Sequence, residues 1–212
     1  LDANLPLDEM ITITEDDKDT LRYSRSRLLI GKATLSRENM LRVALMSSDN
    51  RAAHALGRTA FPGGIPEFVR AMNAKAQSLG MTNSTFADPT GLFAENVSTA
   101  TDLSKMVRAA SQYQLIREIT STGDVMLEPH PGKKPLQYVN TNRLVRSRQS
   151  VWNINLSKTG YIREAGKCLV MEATLPSGVY DFVFLNGPNQ SAPFTDAERL
   201  RKWLEKRAVS AN

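Results

Sequence analysis

The chain has 212 residues, 41% hydrophobic and 23% charged, the balance of an ordinary globular protein with enough apolar material for a real core. It has no run of about 18 apolar residues that would span a bilayer. Its single cysteine excludes an internal disulfide and a Cys-rich zinc site. The net charge is +5. The basic residues are scattered, densest at Arg22, Arg25 and Arg27 and at Arg143, Arg146 and Arg148. They read as solvated faces, or as a surface that attracts an anionic polymer. No nucleic-acid recognition module is visible.

Leu1 to Pro6 reads as the last turn of a helix entering a loop. Glu9 to Thr14 alternates like a short strand, Asp16 to Asp19 is a polar turn, and Leu28 to Gly31 reads as a second short extended segment. Ser36 has the character of an N-cap with Glu38 in the first turn, so a helix follows through Met40, Leu41, Val43 and Met46. It stops at Ser47-Ser48-Asp49-Asn50, where Asp49 caps a second short helix. Pro62-Gly63-Gly64 breaks the chain. Ile65 to Leu79 is helical, with Pro66 near its start and Gly80 past its end. Asp88-Pro89-Thr90-Gly91 is a turn. Helices are predicted at Thr99 to Ala110 and Tyr113 to Ile119.

From Asp124 the pattern turns extended. Strands are predicted at Trp152 to Lys158, Lys167 to Thr174 and Val179 to Asn186, the last two joined at Pro176-Ser177-Gly178. A final helix begins at Thr195-Asp196, with Leu200, Trp203 and Leu204 on the face that closes on the sheet. The architecture is therefore α+β, an antiparallel sheet flanked by helices with a helical region before it. Cys168 reads as a small buried strand residue. His54 and His130 are not spaced as a metal pair and take surface or packing roles. The sequence implies no metal or organic cofactor.

Two short motifs carry chemistry. Ser48-Asp49-Asn50 follows an apolar helix, and Ser157-Lys158-Thr159-Gly160 ends an alternating stretch suited to an edge strand. With Ser-x-x-Lys, this pair is a signature of serine acyl-transfer sites. Ser48 can relay a proton to a leaving nitrogen. The Asn50 amide can hold a substrate peptide group as donor and acceptor. Lys158 supplies positive charge toward a carboxylate or an adjacent Ser, and Thr159 a hydroxyl. Gly160 lets a substrate approach the strand edge, and the backbone N–H of Tyr161 is a candidate oxyanion donor. No Ser in the chain has Lys three positions later.

Longer segments make the likeness specific. Asn83 to Leu92, Asn96 to Leu103, Asn140 to Leu144 and Lys158 to Val170, with the two motifs, resemble the low-molecular-mass penicillin-binding proteins of the D-alanyl-D-alanine peptidase family. The resemblance covers most of the chain. It implies a β-lactamase-like DD-peptidase fold and a serine acyl-enzyme mechanism on peptidoglycan stem peptides and cross-bridges, with β-lactams as covalent inhibitors. Ser48 and Lys158 would be catalytic, and Asn50, Lys158, Thr159, Gly160 and Tyr161 would bind substrate. Residues 1–212 would form most of one catalytic domain, lacking the upstream nucleophile helix and N-terminal strands.

The absent nucleophile pair leaves two accounts: a piece of a longer polypeptide, or a nucleophile-free relative that binds without cleaving. The first is favoured, since losing a central apolar helix would leave a large cavity. The chain stops soon after Trp203 and Leu204, with too little apolar face to anchor in a membrane. That points to a soluble periplasmic endopeptidase cutting cross-bridges rather than a carboxypeptidase trimming stem peptides. A class A β-lactamase is disfavoured, because no Glu-x-x-Leu-Asn segment is present.

Overall fold

The computed structural model describes residues 1–147 and 151–210, with side chains through 208; Arg148 of the basic group lies outside the described residues. The first hairpin pairs β1 (Met10–Thr12) with β2 (Thr34–Ser36), and Glu15–Asp17 forms a 3-10 turn between them. The extended segment expected at Leu28 to Gly31 is instead a turn. Gly31 has φ +68°, and the amides of Lys32 and Ala33 both donate to the Leu29 carbonyl. The run was apolar because Leu28 is fully buried in the core, not because it pairs in a sheet.

Helix α1 (Arg37–Met46) starts where the Ser36 hydroxyl accepts from the Asn39 amide at 3.2 Å. Helix α2 (Asn50–Arg58) starts on Asp49, whose carboxylate accepts from the Ala52 amide at 3.1 Å. Helices α3 (Gly64–Ser78), α4 (Ala100–Ala110) and α5 (Gln114–Ser121) complete the helical region. A second hairpin, β3 (Asp124–Leu127) with β4 (Leu136–Val139), leads to a single helical turn, α6 (Arg143–Arg146), which the sequence reading missed. Asn142 caps it, accepting from the Leu144 amide at 2.9 Å.

The main sheet is a three-stranded antiparallel meander, β5 (Asn153–Ile162), β6 (Gly166–Leu175) and β7 (Gly178–Gly187), in that order. Helix α7 (Ala192–Ser210) packs on one face, against Leu169, Met171 and Ala173. Val107 of α4 packs on the other, against Leu156 and Val170. A central strand covered on both sides needs a continuous apolar run, which is what Cys168-Leu169-Val170-Met171 supplies. The closing face of α7 differs from the expected one. Phe194, Ala197 and Leu204 face the sheet, whereas Leu200 and Trp203 are exposed, and α7 begins three residues before Thr195.

A second core fills the helical region, built from α1, α2, α5 and the two hairpins around Met40, Val43, Ala55 and Ile119. Beside it lies an apolar cavity of about 500 Å³, walled by Leu5, Leu41, Leu45, Leu56, Phe68 and Ile116 among others. Among the described residues no helix is long and apolar enough to cross a membrane.

Candidate functional site

The α1–α2 junction and the edge strand β5 face each other across a cleft of about 470 Å³. The junction is stiff for local reasons. Ser48 has φ +59°, the left-handed region that a non-glycine residue enters only when its surroundings hold it there. They do so from both sides. Ser47 ends α1 with its amide on the Val43 carbonyl, and Asp49 caps α2 while accepting from the Ser26 hydroxyl at 2.7 Å. Burial pushes the Asp49 carboxyl up from its ordinary value against those bonds. Ser48 therefore stands at a fixed apex toward the sheet.

Lys158 on β5 meets it. Its ammonium donates to the Ser48 hydroxyl at 2.5 Å and to the Thr159 carbonyl at 2.7 Å. Burial, with no acidic side chain lining the cleft, lowers the Lys158 pKa to about 8. A lysine in this state passes a proton near neutral pH far more readily than an exposed one. Asn50, the first residue of α2, turns its amide to the Ser24 hydroxyl at 2.9 Å. Because β5 is the sheet edge, alternate backbone groups on its cleft side have no ladder partner and can pair with an extended substrate. Gly160 lines the cleft on this strand, and a side-chain carbon there would lie 3.7 Å from Cys168 of β6, an ordinary contact distance. Cys168 is half-buried and lines the cleft, so the expected buried role is corrected.

Ser48, Asn50, Lys158, Thr159, Gly160 and Tyr161, the six residues singled out in the sequence, all line this one cleft. Four further features of it went unnoticed. Thr141 lies 2.6 Å, hydroxyl to hydroxyl, from Thr159. Thr90, Gly91 and Leu92 form a rim on the loop held by buried Asp88 and by Asn96. Gln190 lies before α7, and Lys167 is the register partner of Tyr161. Thr141 and the 90–92 rim sit inside the segments whose likeness to the family was noted. Lys167 emerges only once the β5–β6 turn is known. The site holds no metal-type cluster among the described residues. The histidines stand elsewhere: His54 Nδ1 is 2.8 Å from Asp17, and His130 Nε2 is 3.0 Å from the Arg27 carbonyl.

Comparison with known proteins gives a consistent set of likenesses. Residues 2–187 match the family model described as D-alanyl-D-alanine carboxypeptidase. The chain is 43% identical over 211 residues to a D-alanyl-D-alanine endopeptidase of Pseudomonas aeruginosa, covering 100% of this chain and 67% of that protein. It is 44% identical over 207 residues to the D-alanyl-D-alanine endopeptidase of Escherichia coli K12, covering 97% and 65%. The chain thus spans about two thirds of the length of these relatives. Among solved structures it resembles the Streptomyces K15 DD-transpeptidase, with TM-score 0.84, 26% identity, and coverage of 94% of this chain and 80% of that one. It also resembles a D-alanyl-D-alanine carboxypeptidase of Mycobacterium tuberculosis, with TM-score 0.75, 25% identity, and coverage of 91% and 74%.

Proposed function

The chain belongs to the D-alanyl-D-alanine carboxypeptidase family of serine peptidases, and from that premise we propose that it forms the larger part of a DD-endopeptidase cleaving peptide cross-bridges of peptidoglycan. One observation carries the reading: the Lys158 ammonium lies 2.5 Å from the Ser48 hydroxyl across a cleft bounded by an open strand edge. In the mechanism, the substrate lies along β5 with Asn50 and the strand edge holding its backbone. A serine nucleophile attacks the D-alanyl carbonyl, and the oxyanion is stabilised by backbone donors that include the Tyr161 N–H. Ser48 passes the proton that the attacking serine hydroxyl loses on to the amine as the C–N bond breaks, with Lys158 holding Ser48 in place and supplying positive charge. Thr159 receives a carboxylate of the substrate. Water then hydrolyses the acyl-enzyme. β-Lactams acylate the same serine.

The nucleophile, in this proposal, comes with its lysine from a segment outside residues 1–212 that seats in the apolar cavity of about 500 Å³ beside α1, α3, α4 and α5. Two facts support this. An open groove of that size lined by leucine and phenylalanine is a contiguous apolar surface of the kind that proteins usually cover. The endopeptidase relatives are longer than the chain by about a third of their own length. The substrate assigns the work to the periplasm.

The test is labelling of the full-length protein by a fluorescent penicillin, followed by mass spectrometry of the acylated peptide. The expected result is one acylated serine outside residues 1–212. Acylation at Ser48, or no acylation, contradicts the scheme. Digestion of purified cross-linked muropeptides then decides the leaving group. Dimers falling to monomers support the endopeptidase, and loss of terminal D-alanine alone makes the protein a carboxypeptidase.

A further inference from the structure

Two side chains lining the cleft carry charge, Lys158 and Lys167, and none is acidic. Lys158 is committed to Ser48 and to the Thr159 carbonyl. Lys167 makes no ion pair among the described residues. Its ammonium rests 3.3 Å from the centroid of the Tyr161 ring. That contact locates the charge without cancelling it. The nearby hairpin carboxylate does not cancel it either, because Glu164 is paired with Arg22 at 2.9 Å.

Tyr161 and Lys167 are directly opposed in the β5–β6 register, so their side chains share a face of the sheet. Tyr161 is 59% exposed, which leaves the pair open to the cleft. Gln190 lines the same cleft and carries an amide that can donate alongside the ammonium. From Lys158 to Tyr161 is three residues along one strand, about 10 Å. Gly160, next to Tyr161 in the strand, lines the same cleft. A peptide extended along β5, with its reacting bond at Ser48, would carry a group within three residues of that bond up to Lys167.

We propose that Lys167, stacked on Tyr161, forms an anion subsite that receives a side-chain carboxylate of the peptide substrate within three residues of the bond to be cleaved. The inference rests on the peptide-hydrolysing reading above and adds to it the charge that the substrate carries. Lys167 acts here as a specificity residue; no proton moves through it.

The experiment measures equilibrium binding by calorimetry, so it needs no turnover. Two synthetic peptides containing D-alanyl-D-alanine are compared on the full-length protein. They differ only in whether the side-chain carboxylates within three residues of the reacting bond are free or amidated. Charged hydrogen bonds of this kind correspond to a preference of about tenfold for the free form. Lys167→Gln should reduce the preference to near unity, and Lys167→Arg should keep most of it. The preference should weaken in high salt. A wild-type protein with equal affinity for the two peptides overturns the subsite. So does a Lys167→Gln variant that keeps the wild-type preference. Failure of penicillin labelling would remove the enzymatic reading and leave this binding test standing, so the two ideas fail separately.

Discussion

Thr141 ties the end of α1 to the edge of the sheet: its amide donates to the Met46 carbonyl at 3.0 Å, and its hydroxyl lies 2.6 Å from that of Thr159. The apex that carries Ser48 begins two residues after Met46, so this contact sets the width of the cleft. Thr141→Val keeps the shape and removes the hydroxyl. The expected result is a stability loss of about 1 kcal/mol in urea unfolding and a drop of about fivefold in penicillin acylation. A variant acylated at the wild-type rate would show that Thr159 needs no such partner.

Arg22 joins two walls of the cleft. Its guanidinium donates to the Leu92 carbonyl at 2.6 Å and pairs with Glu164 at 2.9 Å, linking the 90–92 rim to the β5–β6 turn. Arg22→Gln should raise KM for a cross-bridge peptide severalfold and leave kcat nearly intact, since nothing in the reacting group is touched. Arg22→Lys should recover little, because a single ammonium cannot span both partners as the planar fork does. An equal fall in kcat with unchanged KM would contradict a purely positioning role.

Asp17 anchors α2 from below. Burial alone would raise its pKa; hydrogen bonds from His54, Arg58 and the Thr14 amide outweigh that and bring it to about 2. The folded value lies below the ordinary 3.8, so the stabilisation is present above pH 3.8 and is lost as pH falls through about 2. Its size is about 2 kcal/mol. Arg58→Met should therefore destabilise the protein by about 1–3 kcal/mol at pH 6, with the gap to wild type narrowing toward pH 2. A gap that stays constant with pH would mean that Asp17 is not the partner that matters.

Much of this arrangement was readable because it is local. Ser36 and Asp49 are caps visible in the sequence, and each accepts the expected backbone amide; Thr99, read as the first helical residue, is instead the cap of α4. The apolar runs mark the strands of the main sheet but leave them short, since strand ends such as Thr159 to Tyr161 line the cleft rather than the core. What was not readable depends on distant partners. Leu28 is buried within a turn, and α6 is a single turn fixed by Asn142, too short to show a period. The helical phase of α7 depends on where Phe194 enters the core, which exposed Leu200 and Trp203 against expectation. In the site, the motif residues announced themselves by type and order. Thr141 and Lys167 are ordinary residues whose positions across the cleft and across the hairpin give them their partners.

The central claim is that Ser48 and Lys158 act together on the reacting group, and the second-order rate constant for acylation by fluorescent penicillin tests it most directly. In the full-length protein, Ser48→Ala and Lys158→Ala should each lower that constant by about 100-fold or more while thermal unfolding stays cooperative. Acylation of both variants at the wild-type rate would contradict the account.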